Sequence, residues 1–263
     1  MLELFLFSML LGAIAGLLAG LFGLGGGVVI VPALVWLFSA YHFPAEEIMI
    51  LAIATSLATI IPTSISSIIM HQKLGNILWH KVFRLGPGIL IGAGIGAFIA
   101  NTINAELLKQ FFIAYLIYVG FRMALQKNIN SQLKKPNDWL DYIAGNGIGI
   151  LSSLLGIGGG TLTVPYLVSR QIAMKNAVAV SSTCGLPIAI SGTLVYTFLG
   201  WNKPFLPEWS VGYVYLPALC GIISCSILTA PIGAKLASEL PAKQLKRYFS
   251  MVIFLIAFKM FFN

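Results

Sequence analysis

Two glycine clusters are the residues best suited to bind a ligand, because each interrupts a long apolar stretch. The first is Gly23-Leu24-Gly25-Gly26-Gly27, and the second, Gly156-Ile157-Gly158-Gly159-Gly160, repeats it with Pro32 and Pro165 in register. Each glycine in a helix interior costs about 1 kcal/mol relative to alanine, so a regular helix is expected to break at both clusters. Bare backbone N–H groups at the start of the following helix can bind an anion. The predicted anion-binding glycines are Gly25, Gly26, Gly27, Gly158, Gly159 and Gly160.

Hydroxyl side chains form a second set of candidates. They lie in the apolar stretches that follow the glycine clusters, 48–70 and 176–199, or beside the second cluster. A hydroxyl can donate to an anion without placing a charge in the membrane. The predicted substrate-binding hydroxyls are those of Thr55, Ser56, Ser182 and Thr183, with Thr59, Thr161, Thr163 and Ser181 as further candidates. The alternative is that the hydroxyls bond to their own helices and that the glycines allow close helix packing. Gly88, Gly92 and Gly96 have the spacing that such packing uses.

The composition is that of a polytopic membrane protein. Hydrophobic residues make up 58% of the 263 residues and charged residues 9%, far below the roughly 25% charged that is usual in a soluble domain. Mean hydropathy is +0.92. In lipid, irregular backbone survives only where it is buried in protein or lines a cavity, so the rest of each apolar stretch is expected to be helical. The predicted fold class is therefore all-α, with the lipid bilayer as a partner.

The same composition argues against several functions. The sixteen Lys and Arg residues are scattered singly, so no nucleic-acid partner is expected. The chain has no H-E-x-x-H or G-x-S-x-G motif and no carboxylate pair inside an apolar stretch, so neither an enzyme, a cofactor nor a metal site is expected. No charged residue lies near the centre of a proposed span, which disfavours a cation as substrate and a carboxylate proton relay. His71 is assigned to an interfacial connector, 71–84.

The chain is predicted to consist of two homologous repeats. Beyond the glycine clusters, Gly96-Ala97-Phe98-Ile99-Ala100 matches Gly233-Ala234-Lys235-Leu236-Ala237. The predicted divisions are a first membrane repeat, 1–125, a polar cytoplasmic linker, 126–141, and a second membrane repeat, 142–263. Each repeat is expected to hold a glycine-broken helix hairpin and three transmembrane helices, giving about 8–10 membrane segments in all.

The basic residues predict how the repeats cross the membrane. If each glycine-broken stretch enters and leaves on the same side, the repeats are inverted, and every Lys and Arg except Lys109, Lys203 and Lys259 lies on the cytoplasmic side. Parallel repeats would divide the basic residues almost equally between the two sides. The positive-inside rule therefore favours inverted repeats, which, with discontinuous helices, are typical of secondary transporters.

Four segments carry a recognisable family pattern: GLFGLGGGVVIVPAL (20–34), GNILW (75–79), GILSSLLGIGGGTLTVPYL (149–167) and IGAKLASELP (232–241). With them, essentially the whole chain resembles the sulfite exporter TauE/SafE family, also called the toluene sulfonate uptake permease family. The resemblance implies a multi-pass permease of the bacterial or archaeal inner membrane for small sulfur-containing anions, such as sulfite, thiosulfate, sulfoacetate or related sulfonates. The glycine clusters match the family pattern residue by residue, whereas the hydroxyls are inferred from their chemistry.

Together these features predict a secondary permease that moves a small sulfur-containing anion by alternating access. The alternatives are a transporter of a different solute, such as an organic acid or a metal ion, an anion channel, and a membrane protein that transports nothing. The sequence is compatible with a homodimer as well as with a monomer.

Overall fold

The computed structural model describes residues 2–22, 26–124, 138–204, 206–239 and 253–260, and most of them are helical. The helices are α1 (Leu2–Phe22), α2 (Gly27–Ala40), α3 (Ala45–Lys73), α4 (Trp79–Thr102), α5 (Ala105–Ala124), α6 (Asp138–Leu154), α7 (Gly160–Ser169), α8 (Met174–Gly200), α9 (Leu216–Glu239) and α10 (253–260). Between α8 and α9, a two-residue strand β1 (Ser210–Val211) pairs antiparallel with β2 (Val214–Tyr215).

Within the described residues, five helices are long and apolar enough to cross a membrane. They are α1, α3, α4, α8 and α9. The helices that follow the glycine clusters are shorter, with 14 residues in α2 and 10 in α7. At 1.5 Å per residue they are about 21 Å and 15 Å long, less than the hydrocarbon thickness of about 30 Å. The chain is therefore an all-α, multi-pass membrane protein, as the composition predicts.

The two longest of the described helices, α3 and α8, form the centre of the bundle. They pack against each other, α3 also packs on α9, and α8 also packs on α4. Leu51, Ile53 and Leu57 of α3 are fully buried, as are Val180 and Ile188 of α8. Around this centre, α1 packs along α9 and α6 packs along α4. The described residues of the two glycine clusters, Gly26, Gly27 and 156–160, are buried, so their backbone has protein around it instead of lipid.

The same order of elements occurs twice. The helices α1 to α4 are a longer helix, a short helix that begins at a glycine, and two long helices. The helices α6 to α9 repeat this series. The contacts between helices also correspond. The first helix of each series packs along the last helix of the other series: α1 packs on α9, and α6 packs on α4. The orientation of the two halves in a bilayer stays a prediction. α6 begins at Asp138, inside the segment 126–141 that was predicted as a linker, most of which lies outside the described residues.

Glycines on α4 and α1 allow close contacts with α6 and α9. A Cβ atom on Gly88, Gly92 or Gly96 of α4 would lie 2.1–2.3 Å from a carbonyl oxygen of α6. The same holds for Gly12 and Gly20 of α1, where a Cβ would lie 2.2 Å and 2.1 Å from carbonyl oxygens of α9. No side chain fits at these distances, so the backbones touch directly. The close contact predicted from the spacing on α4 is present in the structure.

Candidate anion-binding site

Both glycine clusters break the helix at the same position. Gly26, with φ 76° and ψ −16°, precedes α2, and Gly159, with φ 76° and ψ −11°, precedes α7. This left-handed conformation is strained for residues with a Cβ atom, so glycine is required. Their carbonyl oxygens accept the first helical hydrogen bonds, at 3.0–3.1 Å for Gly26 and 2.7–3.0 Å for Gly159. Gly27 and Gly160 are then the first residues of α2 and α7, and Gly25 lies outside the described residues.

The two glycine-broken segments meet at the centre of the protein. A Cβ atom on Gly27 would lie 2.2 Å from the carbonyl oxygen of Gly156 and 2.9 Å from the Cα atom of Ile157. Gly156 also packs on the backbone of Ile53 in α3, where its own Cβ would lie 2.9 Å from the Cα atom. Ser56 Oγ, one turn further along α3, donates to the Gly156 carbonyl oxygen at 2.9 Å. The start of α2, the second cluster and α3 therefore converge at one point.

A small polar cavity of about 10 Å³ lies beside the second glycine cluster. Its lining residues are Ala19, Thr63, Ser64, Ser67, Gly158, Ser182 and Gly185. This volume is enough for about one water molecule. The lining comes from α1, α3, α8 and the turn before α7, so both halves of the chain contribute to it.

Two of the hydroxyls in this cavity are buried without a partner. Ser67 Oγ and Ser182 Oγ have no hydrogen-bond partner among the described residues, and their side chains are 2% and 5% exposed. A buried polar group that makes no hydrogen bond costs about 1–3 kcal/mol, so such groups usually bind a water or a ligand. The cavity therefore presents free hydroxyls close to the backbone of Gly158, and its described lining carries no charge.

Three of the other predicted hydroxyls, those of Thr55, Ser56 and Thr183, have backbone partners instead. Thr163 Oγ1 is buried without a partner among the described residues, but Thr163 does not line the cavity. Thr55 Oγ1 accepts a hydrogen bond from the backbone N–H of Tyr215 at 3.0 Å, and Thr183 Oγ1 donates to the Ala179 carbonyl oxygen at 2.9 Å. Ser56 donates to Gly156, as described above. Of the predicted site residues, the structure thus places Gly158 and Ser182 in the cavity. Thr55 and Ser56 join α3 to neighbouring segments, while Thr183 bonds within its own helix, α8.

Three cavity residues, Thr63, Ser64 and Ser67, were not among the predicted site residues. They belong to a buried polar side of α3, which we define as Ser56, Thr59, Thr63, Ser64, Ser67 and His71. Residues three and four positions apart share one side of a helix, so this spacing was a signal that the sequence analysis did not use.

His71 is the last residue of this buried polar side of α3. It lies in the last turn of α3 and not in a connector, it is 2% exposed, and neither ring nitrogen has a partner among the described residues.

A separate charged network joins α4, α6 and α7. Lys81 Nζ lies 2.9 Å from Asp141 Oδ2, and the Tyr166 hydroxyl donates to Asp141 Oδ1 at 2.5 Å. Arg170 donates to the Tyr166 hydroxyl at 3.4 Å. Asp141 lies outside the five candidate spans, in the first turn of α6. Burial raises the pKa of this carboxyl, but the hydrogen bonds from Tyr166 and Lys81 and the charges of Lys81 and Arg170 outweigh it and hold the pKa below its ordinary value.

The fold combines long apolar helices with two short helices that begin at a glycine, and it contains a buried, hydroxyl-lined cavity. These features are typical of a multi-pass membrane protein of the transporter class. Comparison with known proteins gives the family. The chain belongs to the sulfite exporter TauE/SafE family, whose family model matches residues 8–260. It is thus a transmembrane transporter. Among the described residues, no group of three or more His, Cys, Asp or Glu side chains could hold a metal ion.

Several curated proteins are similar along nearly their whole length. A probable membrane transporter protein of Haemophilus influenzae is 40% identical over 257 residues, which cover 97% of each chain. A probable membrane transporter protein of Methanocaldococcus jannaschii is 29% identical over 93% of this chain and 90% of the relative. A third, from Bacillus subtilis, is 27% identical over 98% of both chains. No solved structure matches the chain significantly.

Proposed function

We propose that this transporter is a secondary permease that moves a small sulfur-containing anion, such as sulfite, thiosulfate, sulfoacetate or a related sulfonate, across the inner membrane of the cell. The family description supports this substrate class. The observation that carries the proposal is the cavity in which the free hydroxyls of Ser67 and Ser182 lie beside Gly158. Hydroxyl donors and backbone N–H groups are the neutral groups that bind an oxyanion.

The start of α7 adds a favourable electrostatic contribution to the same place. Gly158 lines the cavity, and α7 begins two residues later at Gly160. The N-terminus of a helix carries a partial positive charge and unpaired N–H groups, both of which favour an anion. Because the described lining has no Lys or Arg, an anion held there would bind with modest affinity and could be released again. Modest affinity is what a transport cycle requires.

The size of the cavity indicates an occluded conformation. Its volume of about 10 Å³ holds about one water molecule, whereas a sulfur oxyanion has at least four heavy atoms. The helices that line it must therefore separate before a substrate can bind. Movement of α3 against α8 would widen it, since Ser67 lines the cavity from α3 and Ser182 lines it from α8. In this proposal the two inverted repeats provide that movement by alternating access.

In this proposal the anion leaves the cavity along the buried polar side of α3, once the helices have separated. From Ser67, the next polar residue on this side is His71, four positions further along and one turn nearer the end of the helix. In the proposed topology this end of α3 faces the cytoplasm, because Lys73 is its last residue and Lys81 and Arg84 follow it. The path thus leads from the cavity to the cytoplasmic side through groups that can donate hydrogen bonds.

The test is uptake of radiolabelled sulfite into proteoliposomes that contain the purified protein. Thiosulfate, sulfoacetate, sulfate and acetate are added as competitors. Saturable uptake that thiosulfate and sulfoacetate inhibit, and acetate does not, is the expected result. Inhibition by acetate would identify an organic-acid transporter, and uptake without saturation or counterflow would identify a channel. Absence of sulfite uptake by folded protein under every imposed ion gradient would refute the proposal.

A further inference from the structure

A second cavity, much larger than the first, lies between α1, α2, α3, α5 and α10. Its volume is about 860 Å³, and it shares no lining residue with the hydroxyl-lined cavity. Most of the described wall is apolar and includes Phe7, Pro32, Trp36 and Met49. It is therefore too large and too apolar to be a site shaped for a small oxyanion.

The cavity opens toward the surroundings of the helix bundle. Three of its apolar lining side chains are exposed at the protein surface, Phe7 by 37%, Trp36 by 43% and Leu255 by 69%. The exposed apolar surface of a transmembrane bundle lies against lipid acyl chains. A lipid can thus reach this cavity sideways from the bilayer, without passing through water.

Two lysines give the cavity a net positive charge. Lys109, in the second turn of α5, and Lys259, on α10, both line it, together with one acidic side chain, Glu106. Lys259 Nζ lies 4.9 Å from the ring centroid of Trp36, a distance typical of a cation–π contact. Trp and Lys side chains are enriched where the membrane meets water, which is the depth of lipid headgroups. Lysine binds phosphate groups as a point charge, so two lysines at this depth can hold an anionic headgroup.

We propose that this cavity binds an anionic phospholipid from the bilayer. Its phosphate group is held by Lys109 and Lys259, and its acyl chains lie along Phe7, Trp36 and Leu255. Charge complementarity selects an anionic headgroup, and the apolar wall selects a ligand with hydrocarbon chains. The site is independent of the proposed transport substrate, because the two cavities have no lining residue in common.

The test measures thermal unfolding of the purified full-length protein in detergent. Phosphatidylglycerol and phosphatidylcholine with the same acyl chains are each added to the wild-type protein and to the double variant Lys109→Gln/Lys259→Gln. Phosphatidylglycerol is expected to raise Tm by several degrees more than phosphatidylcholine in the wild type, because binding stabilises the folded state. The double variant is expected to lose this difference, and the control Lys203→Gln, an exposed lysine outside the cavity, is expected to keep it.

Three results would overturn the proposal. The first is equal stabilisation of the wild type by both lipids, and the second is an undiminished preference for phosphatidylglycerol in the double variant. The third is equal stabilisation by glycerol 3-phosphate, which carries the phosphate without acyl chains and would indicate a site for a soluble phosphate ester. If the double variant does not fold, the single variants Lys109→Gln and Lys259→Gln are measured instead, and each is expected to reduce the Tm difference. If the wild-type protein takes up no sulfite, the proposed function fails, but the Tm measurement with lipids still tests the lipid site.

Discussion

The hydroxyl of Ser56 donates a hydrogen bond of 2.9 Å to the carbonyl oxygen of Gly156, and this bond joins α3 to the second glycine cluster. Gly156 has φ 69° and lies between α6 and α7, where its carbonyl group is not part of a regular helix. Both residues are buried. Backbone groups inside a membrane protein must be paired, so the hydroxyl stabilises the break in the helix. A side chain that the sequence suggested as a substrate donor thus has a structural partner.

Ser56→Ala is therefore expected to lower stability and to leave sulfite binding nearly unchanged. Removal of the hydroxyl leaves the Gly156 carbonyl oxygen without this donor, at a cost of about 1–3 kcal/mol. The measurement is Tm in detergent, with KM for sulfite determined in proteoliposomes. Ser169→Ala is the control, because its hydroxyl bonds to the Tyr166 carbonyl oxygen within the same helix. Unchanged Tm together with a large rise in KM would contradict the structural role.

Gly26→Val and Gly159→Val are expected to abolish transport while the protein still inserts into the membrane. A β-branched residue at φ 76° costs about 1–3 kcal/mol in backbone strain alone. An added Cβ atom would also lie 3.0 Å from the Ala15 carbonyl oxygen at Gly26 and 2.6 Å from the Ile188 side chain at Gly159, so both positions are crowded as well as strained. Insertion is measured by membrane fractionation and transport by sulfite uptake.

Gly147→Val is the matched control for these glycine variants. Gly147 lies in α6, has no positive φ, and would meet nothing within 4 Å of an added Cβ atom. Near-normal uptake is expected for the control. Wild-type uptake in both Gly26→Val and Gly159→Val would show that the left-handed conformation at the two breaks is not needed for transport.

The sequence predicted the features that depend on backbone chemistry within one segment. The glycine clusters break the helix because several adjacent residues lack a Cβ atom, and Gly26 and Gly159 take the expected positive φ. That Gly92 allows a close helix contact also follows from the absence of a side chain, although its partner, α6, is seen only in the structure. Local rules are sufficient for such features, because they do not depend on how distant helices are rotated.

The lining of the cavity could not be predicted in the same way. Ser182 and Thr183 are adjacent in sequence, but Ser182 lines the cavity while Thr183 bonds to its own helix at Ala179. Which of two neighbours is free depends on the rotation of α8 against α3. Asp141 is a similar case: the polar segment before it predicted a linker, and its ion pair with Lys81 joins residues far apart in the chain.

Asp141→Asn is expected to destabilise the protein by about 3 kcal/mol, the low end of the cost of breaking a buried ion pair, because it leaves Lys81, which is 12% exposed, without its partner. The pKa of Asp141 is lower in the folded protein than in the unfolded chain. Its contribution to stability is therefore complete above the ordinary carboxyl pKa of about 3.9 and is lost as pH falls through the lower folded value. The measurement is Tm of wild type and variant between pH 3 and pH 7.

The Tm difference between wild type and Asp141→Asn should be constant near neutral pH and should shrink below about pH 4. The double variant Asp141→Asn/Lys81→Met is the control. It is expected to recover part of the lost stability, because no unpaired charge remains. A Tm difference that shrinks as pH rises from 5 to 7 would show that the folded pKa of Asp141 is raised instead.

Ser67→Ala and Ser182→Ala are expected to have the opposite effects to Ser56→Ala. Each should raise KM for sulfite about tenfold, because a hydrogen bond to a charged group contributes about 1.5–3 kcal/mol and 1.4 kcal/mol is a factor of ten. Tm should stay the same or rise, since neither hydroxyl has a partner to lose among the described residues. The measurements are sulfite uptake against concentration and thermal unfolding of the same preparations.

Ser66→Ala is the matched control on α3 for the cavity variants. The Ser66 hydroxyl donates to the Ile227 carbonyl oxygen at 2.8 Å, away from the cavity, so its removal should lower Tm and leave KM unchanged. The two neighbouring serines therefore separate binding from stability. If Ser67→Ala and Ser182→Ala lower Tm without changing KM, the free hydroxyls support the fold and the substrate binds elsewhere in the transporter.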